Sequence, residues 1–110
     1  MRHVEPQHEP LTEPVFLILT SLASSPKHGY ALIKDVESLS AGRVRLSTGT
    51  LYGALRRLLE GRWIERFNTG DTSRDKQSYR LTSAGRAALV ADLARMKANA
   101  RVASFRLKEA

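Results

Sequence analysis

The sequence predicts a mainly α-helical protein with one small β-hairpin and a long terminal helix, and three observations carry that expectation. Apolar residues recur at helical spacing in four separate stretches, Val15 to Leu22, Leu32 to Leu39, Leu51 to Leu59 and Leu89 to Leu107. Only the segment from Trp63 to Leu81 breaks into two short β-prone runs around a polar loop. The last helical stretch carries a heptad-like spacing with no later helix to receive it.

Residues 1–10 hold two prolines, Glu5, Glu9 and scattered histidines without periodicity, and read as a flexible N-terminal arm. Thr12 is placed to cap a first helix with Glu13 and Pro14 in its first turn. Val15, Ile18, Leu19 and Leu22 form its core stripe, and Phe16 and Leu17 widen it, so the helix is expected to bury a second face against a partner. Ser24 to Lys27 break the chain before a second helix from about Gly29, with Leu32, Ile33, Val36 and Leu39 facing inward and Ser40-Ala41-Gly42 ending it. Arg43-Val44-Arg45-Leu46 alternates charged and apolar residues and suits a short strand.

Ser47 then caps a third helix, Thr48 to about Arg62, whose core stripe is Leu51, Leu55, Leu58 and Leu59. At about 100° per residue, Thr50, Gly53 and Arg57 point away from that stripe, with Gly49 and Arg56 at its flank and Tyr52 at its border. No acid interrupts this face before Glu60. A merely solvated helix face usually mixes both signs of charge, whereas hydroxyls, glycine and arginine suit phosphates and base edges.

Two strands, Trp63–Asn68 and Ser78–Leu81, flank a polar loop bearing Arg74 and Lys76, and together form the hairpin, or wing. Thr82 caps the terminal helix, on which Leu89, Leu93, Met96, Ala100, Ala103 and Leu107 recur at steps of four and three. One helix cannot bury such a seam alone, so two copies are expected to associate as a homodimer. The chain thus divides into the arm (1–10), a winged helix-turn-helix DNA-binding domain (11–81) and a C-terminal dimerisation helix (82–110).

Composition limits the function. A length of 110 residues allows about one domain, and 42% hydrophobic against 26% charged residues favours a folded chain. There is no cysteine, which removes disulfides and thiolate chemistry, and no apolar run near the roughly 20 residues of a membrane span, so a cytoplasmic protein is expected, with no membrane partner. The net charge is +7, and residues 43–86 alone carry ten basic against four acidic side chains. A polyanion is therefore the first partner to consider. No phosphate loop, nucleophile–base pair or coupled carboxylates suggest an enzyme, and no cofactor or metal is expected. His28 stands before a helix start without a second ligand at useful spacing, and reads as structural.

Several stretches in order, Leu11-Thr12-Glu13, His28-Gly29-Tyr30, Gly42 through Tyr52, and Tyr79 through Gly85, resemble the PadR family of transcription regulators, over about Leu11 to Leu89. The resemblance implies a winged helix-turn-helix dimer whose single terminal helix packs on the first helix of its partner. It also implies repression of transcription relieved by a small, often aromatic, effector. Thr48 and Gly53 stand where the family commonly has proline, and Gln77-Ser78-Tyr79 where it commonly has Lys-Tyr-Tyr.

The candidate DNA-binding residues are Ser47, Thr48, Thr50, Tyr52, Gly53, Arg56 and Arg57 on the third helix and Arg74 and Lys76 on the wing. Ser47 serves equally as a simple cap, and Tyr52 as a packing residue. The candidate dimerisation residues are Phe16, Leu89, Leu93, Met96, Ala100, Ala103 and Leu107. Trp63 lies at the base of the wing, leaving Phe16 and Phe105 to stack a flat effector, while Ala94, Ala98, Ala100 and Ala103 suit tight packing as well as a cavity. Operator recognition in double-stranded DNA is the reading that best joins these features; a protein-interaction module and a nonspecific architectural DNA binder are its rivals.

Overall fold

The computed structural model describes residues 9–67 and 77–109. Its elements are α1 (Glu13–Ser24), β1 (Lys27–His28), α2 (Gly29–Leu39), α3 (Thr48–Glu60), β2 (Ile64–Phe67), β3 (Ser78–Leu81) and α4 (Ser83–Glu109). The predicted wing tip, with Arg74 and Lys76, and residues 1–8 of the arm lie outside the described residues.

Helix α1 starts where Thr12 Oγ1 accepts the Val15 N–H at 3.3 Å, with proline in the first turn. Its C-terminal end is held by Lys27, whose ammonium donates to the Ser21 carbonyl and to Ser24 Oγ. Ser21 Oγ donates to Asp35 at 2.5 Å, which ties α1 to α2. Leu17, Ile18, Leu19 and Leu22 are buried among α2, α4 and β3. Phe16, expected to face a partner, is half-buried and packs against this same core.

Helix α2 ends in two left-handed residues, Ala41 (φ 54°) and Gly42 (φ 84°), whose amides return to the carbonyls of Ser38 and Glu37. Leu39, expected inside, is 48% exposed. The neighbouring Ser40 turns inward instead, and its hydroxyl accepts the Val44 N–H at 2.9 Å. The predicted strand over Arg43–Leu46 is a correction as well, because this segment pairs with no strand. Its alternation records facing alone: Val44 and Leu46 pack inward, while Arg43 reaches Glu13 at 2.7 Å and Arg45 reaches Glu37 at 3.6 Å. The third strand comes from Lys27–His28, inside the predicted break.

The sheet order is β1-β3-β2, antiparallel throughout, with Arg66 opposite Tyr79 and Glu65 opposite Arg80. On the face carrying Arg80, its guanidinium binds Glu65 at 2.7 Å and lies over the Phe67 ring. The opposite face, with Ile64 and Tyr79, covers the core beneath α1 and α3.

Helix α3 ends one residue later than its glycine suggests. Gly61 remains right-handed and Arg62 takes the left-handed position (φ 62°), at a cost of about 1 kcal/mol. Thr82 then serves the start of α4 doubly, accepting the Gly85 N–H and donating to the Arg62 carbonyl. Gly85 passes so close to Trp63 that an added Cβ would meet its carbonyl carbon at 2.9 Å.

Only the first turns of α4 are covered: Gly85, Ala88 and Asp92 are buried and Leu89 packs on the core, whereas residues 93–109 are exposed throughout. With 27 residues the helix is about 40 Å long. Leu93, Met96 and Leu107 of the expected seam are among its exposed large apolar residues. A second apolar line, Ala87, Ala91, Ala94, Ala98, Val102 and Phe105, runs along the opposite side. No helix of the described residues is long and apolar enough to cross a membrane.

Candidate nucleic-acid interface

Helix α3 is seated by Leu51, Ala54, Leu55 and Leu58, and this fixes what its outer side presents. Ser47 caps it: its Oγ accepts the Thr50 N–H at 3.1 Å and donates to Thr50 Oγ1 at 2.9 Å. Both hydroxyls are exposed at a helix start, where free amides favour an anion. Thr48, Arg56 and Arg57 are exposed, and Gly53 is partly so.

Gly49 and Gly53 share this side of the helix, and a Cβ at either would meet nothing within 4 Å. Intramolecular packing therefore gives no reason for a glycine at either position, each of which lowers helix propensity by about 1 kcal/mol relative to alanine. Gly29 is different. A Cβ there would strike the Tyr52 ring, with Cζ at 2.9 Å, so the glycine before Tyr30 lets Tyr52 lie across the start of α2. Tyr52 therefore packs on the start of α2 while remaining 41% exposed.

Charge pairing separates the arginines into two groups. Arg43, Arg45, Arg80 and Arg95 each meet a carboxylate. Arg56 and Arg57 have no ion pair or hydrogen bond among the described residues. Part of the unneutralised charge thus lies on the outer side of α3, facing the solvent; Arg62, Arg66, Arg86, Arg101 and Arg106 likewise meet no carboxylate among the described residues.

His28 belongs to the scaffold. Its Nδ1 lies 3.1 Å from Ser78 Oγ, its cross-strand neighbour. The described residues contain no group of three His, Cys, Asp or Glu arranged for a metal. Trp63 reaches α4 from the flank, lining a hollow of about 60 Å³ with Leu11, Ala88, Ala91, Asp92 and Arg95. The Arg95 guanidinium and the Leu11 N–H beside Asp92 hold its carboxyl below the usual carboxylate range, against the opposing effect of burial.

Sequence reasoning overlooked Arg66 and Tyr79, which β2 and β3 bring beside α3. A period-two reading of Ile64 and Arg66 would have put Arg66 on the α3 side of the hairpin.

Three helices, a small sheet and an exposed cationic third helix define a winged helix-turn-helix regulator. The family described as Transcriptional regulator PadR-like matches residues 18–91, and the chain belongs to this family of transcription regulators. No curated protein matches the chain. A PadR family transcription regulator from Clostridium difficile R20291 is similar with a TM-score of 0.71 and 22% identity, over 87% of this chain and 99% of its own. A PadR family transcriptional regulator from Eggerthella lenta DSM 2243 gives 0.66 and 28%, over 84% and 80%. RosR from H. salinarum gives 0.68 and 23%, over 90% and 93%.

Proposed function

We propose that the protein is a homodimeric repressor that binds a specific double-stranded operator through residues 11–81 and dimerises through residues 82–110. The observation that carries the reading is the outer side of α3: two arginines unpaired among the described residues, two glycines facing open space and no acid before Glu60. Ser47, Thr48, Thr50 and Tyr52 contribute phosphate contacts, Arg56 and Arg57 reach base edges or phosphates, and Gly53 admits close approach of the duplex. Arg74 and Lys76 add backbone contacts from the wing.

The uncovered distal half of α4 supports the dimer, since a solitary helix of this composition gains nothing from exposing two apolar lines. Leu89, Leu93, Met96, Ala100, Ala103 and Leu107 meet the partner, joined by Phe16 of α1. Two copies then place their α3 helices in major grooves about one helical turn, ~34 Å, apart. A small aromatic effector held beside the paired α4 helices, against Phe105, would relieve repression.

A gel-shift with DNA from upstream of the protein's own gene tests the reading. The expected result is a complex that survives excess random duplex and weakens about 10-fold or more in Arg57→Ala. Failure to shift any DNA rejects it, and equal competition by random duplex replaces it with nonspecific binding.

A further inference from the structure

Between α3 and the inner face of β2–β3 lies a cleft of about 190 Å³ lined by Tyr52, Leu55, Arg56, Leu59, Arg66 and Tyr79. Its apolar wall is Leu55 and Leu59. Its polar groups are two guanidiniums and two phenols, and no carboxylate lines it.

The donors here lack acceptors. Arg56 and Arg66 form no ion pair or hydrogen bond among the described residues, although Arg80, on the next strand, is fully engaged with Glu65. Tyr79 is only 5% exposed, yet its hydroxyl has no hydrogen-bond partner among the described residues. Buried phenols normally find one. Burial, reinforced by the neighbouring Tyr52 and opposed by Arg66, pushes the Tyr79 hydroxyl above its ordinary pKa, and like any phenol it is a protonated donor at neutral pH. Guanidiniums can only donate. What the cleft lacks is a compact acceptor carrying negative charge.

We infer that this cleft is a phosphate seat in which Arg66, from the strand edge, and Arg56, from α3, hold one phosphate above the Tyr79 hydroxyl. The inference rests on the operator reading for its source of phosphate, a DNA backbone phosphodiester where the duplex passes from α3 to the wing. Free phosphate offers the same chemistry. Arg66 is exposed on an edge strand, so its replacement leaves the core intact.

The test measures affinity for the upstream duplex and for a random duplex of equal length across a salt series, in wild type, Arg66→Ala, Arg66→Lys, Tyr79→Phe and Arg57→Ala. Removing Arg66 should weaken both duplexes alike, about 10-fold at 0.15 M salt, and reduce the slope of log K against log salt by about one. Arg66→Lys should retain the slope, and Tyr79→Phe should weaken both duplexes with the slope unchanged. Melting temperatures in inorganic phosphate and in chloride at equal ionic strength form a second arm. A rise in phosphate that Arg66→Ala abolishes assigns the seat to free phosphate, and a slope change without that rise assigns it to DNA. The absence of both effects overturns the seat. If Arg57→Ala weakens operator binding in that case, the operator reading survives alone; if it too is silent, both fall.

Discussion

Helices α3 and α4 both expose cationic side chains, but they differ in what becomes of their apolar residues. The apolar side of α3 is completed within its own chain by Leu51, Ala54, Leu55 and Leu58, and what remains outside is polar and cationic. The distal half of α4 leaves Leu93, Met96, Val102, Phe105 and Leu107 exposed, with apolar residues on two sides. Water solvates the first surface readily. The second buries its apolar area only by acquiring another helix, at roughly 25 cal/mol per Å² covered. An arginine-bearing face and an uncovered apolar face therefore differ in chemistry, and the proposed function assigns them different partners, a polyanion and a second copy.

The comparison breaks most forcefully at α4. Leu93→Asp combined with Met96→Asp should give a monomer by sedimentation equilibrium and weaken operator binding by about 10²–10⁴-fold, because two linked half-site contacts become one. A double variant that remains dimeric would show that the helix associates through its other side. Next in size is Gly85→Ala, which drives a methyl group into the Trp63 carbonyl. It should cost about 1–3 kcal/mol in denaturant unfolding. An unchanged midpoint would mean that α4 can move away from the hairpin without penalty.

On α3 the effects should have opposite signs for folding and binding. Gly49→Ala or Gly53→Ala fills open space and should stabilise the fold by up to about 1 kcal/mol. Operator binding should fall in the same variants, and equal or tighter binding would show that the duplex does not approach the backbone there. The smallest effect concerns acid. Asp92 is held ionised in the folded state by Arg95 and Leu11, so its contribution is present above the unfolded carboxylate range and disappears as pH falls through the lowered folded pKa. Asp92→Asn should therefore lower stability at pH 7 by about 1 kcal/mol and converge with wild type as the pH falls below the lowered carboxylate range. A deficit that persists in acid would point to packing instead of charge.

Helix positions, the third-helix stripe, the Thr82 cap and the strand over residues 78–81 were legible because each depends on local periodicity or on a side chain reaching three residues along the chain. The residues of the outer α3 side were legible for the same reason: Leu51, Leu55 and Leu58 fix by subtraction where Gly53 and Arg57 point. Alternation over Arg43–Leu46 was misleading, because facing inward and outward does not require a hydrogen-bonded neighbour. The two-residue strand at Lys27–His28 has too little pattern to be seen, and exists through its pairing with Tyr79 and Ser78. Leu39 looked internal by spacing, but the turn at Ser40 ended the core before it.

By itself the sequence determined the helical order, the sign and placement of charge, and the resemblance to PadR regulators, all of which follow from short-range spacing and composition. Tertiary structure decided which cations remain unpaired, why Gly29 and Gly85 must be glycine, and that Arg66 meets Tyr79 and Arg56 across a cleft. Those properties depend on atoms distant in the chain approaching within a few ångströms, whereas a local pattern gives at most the side of an element that a residue such as Arg66 faces.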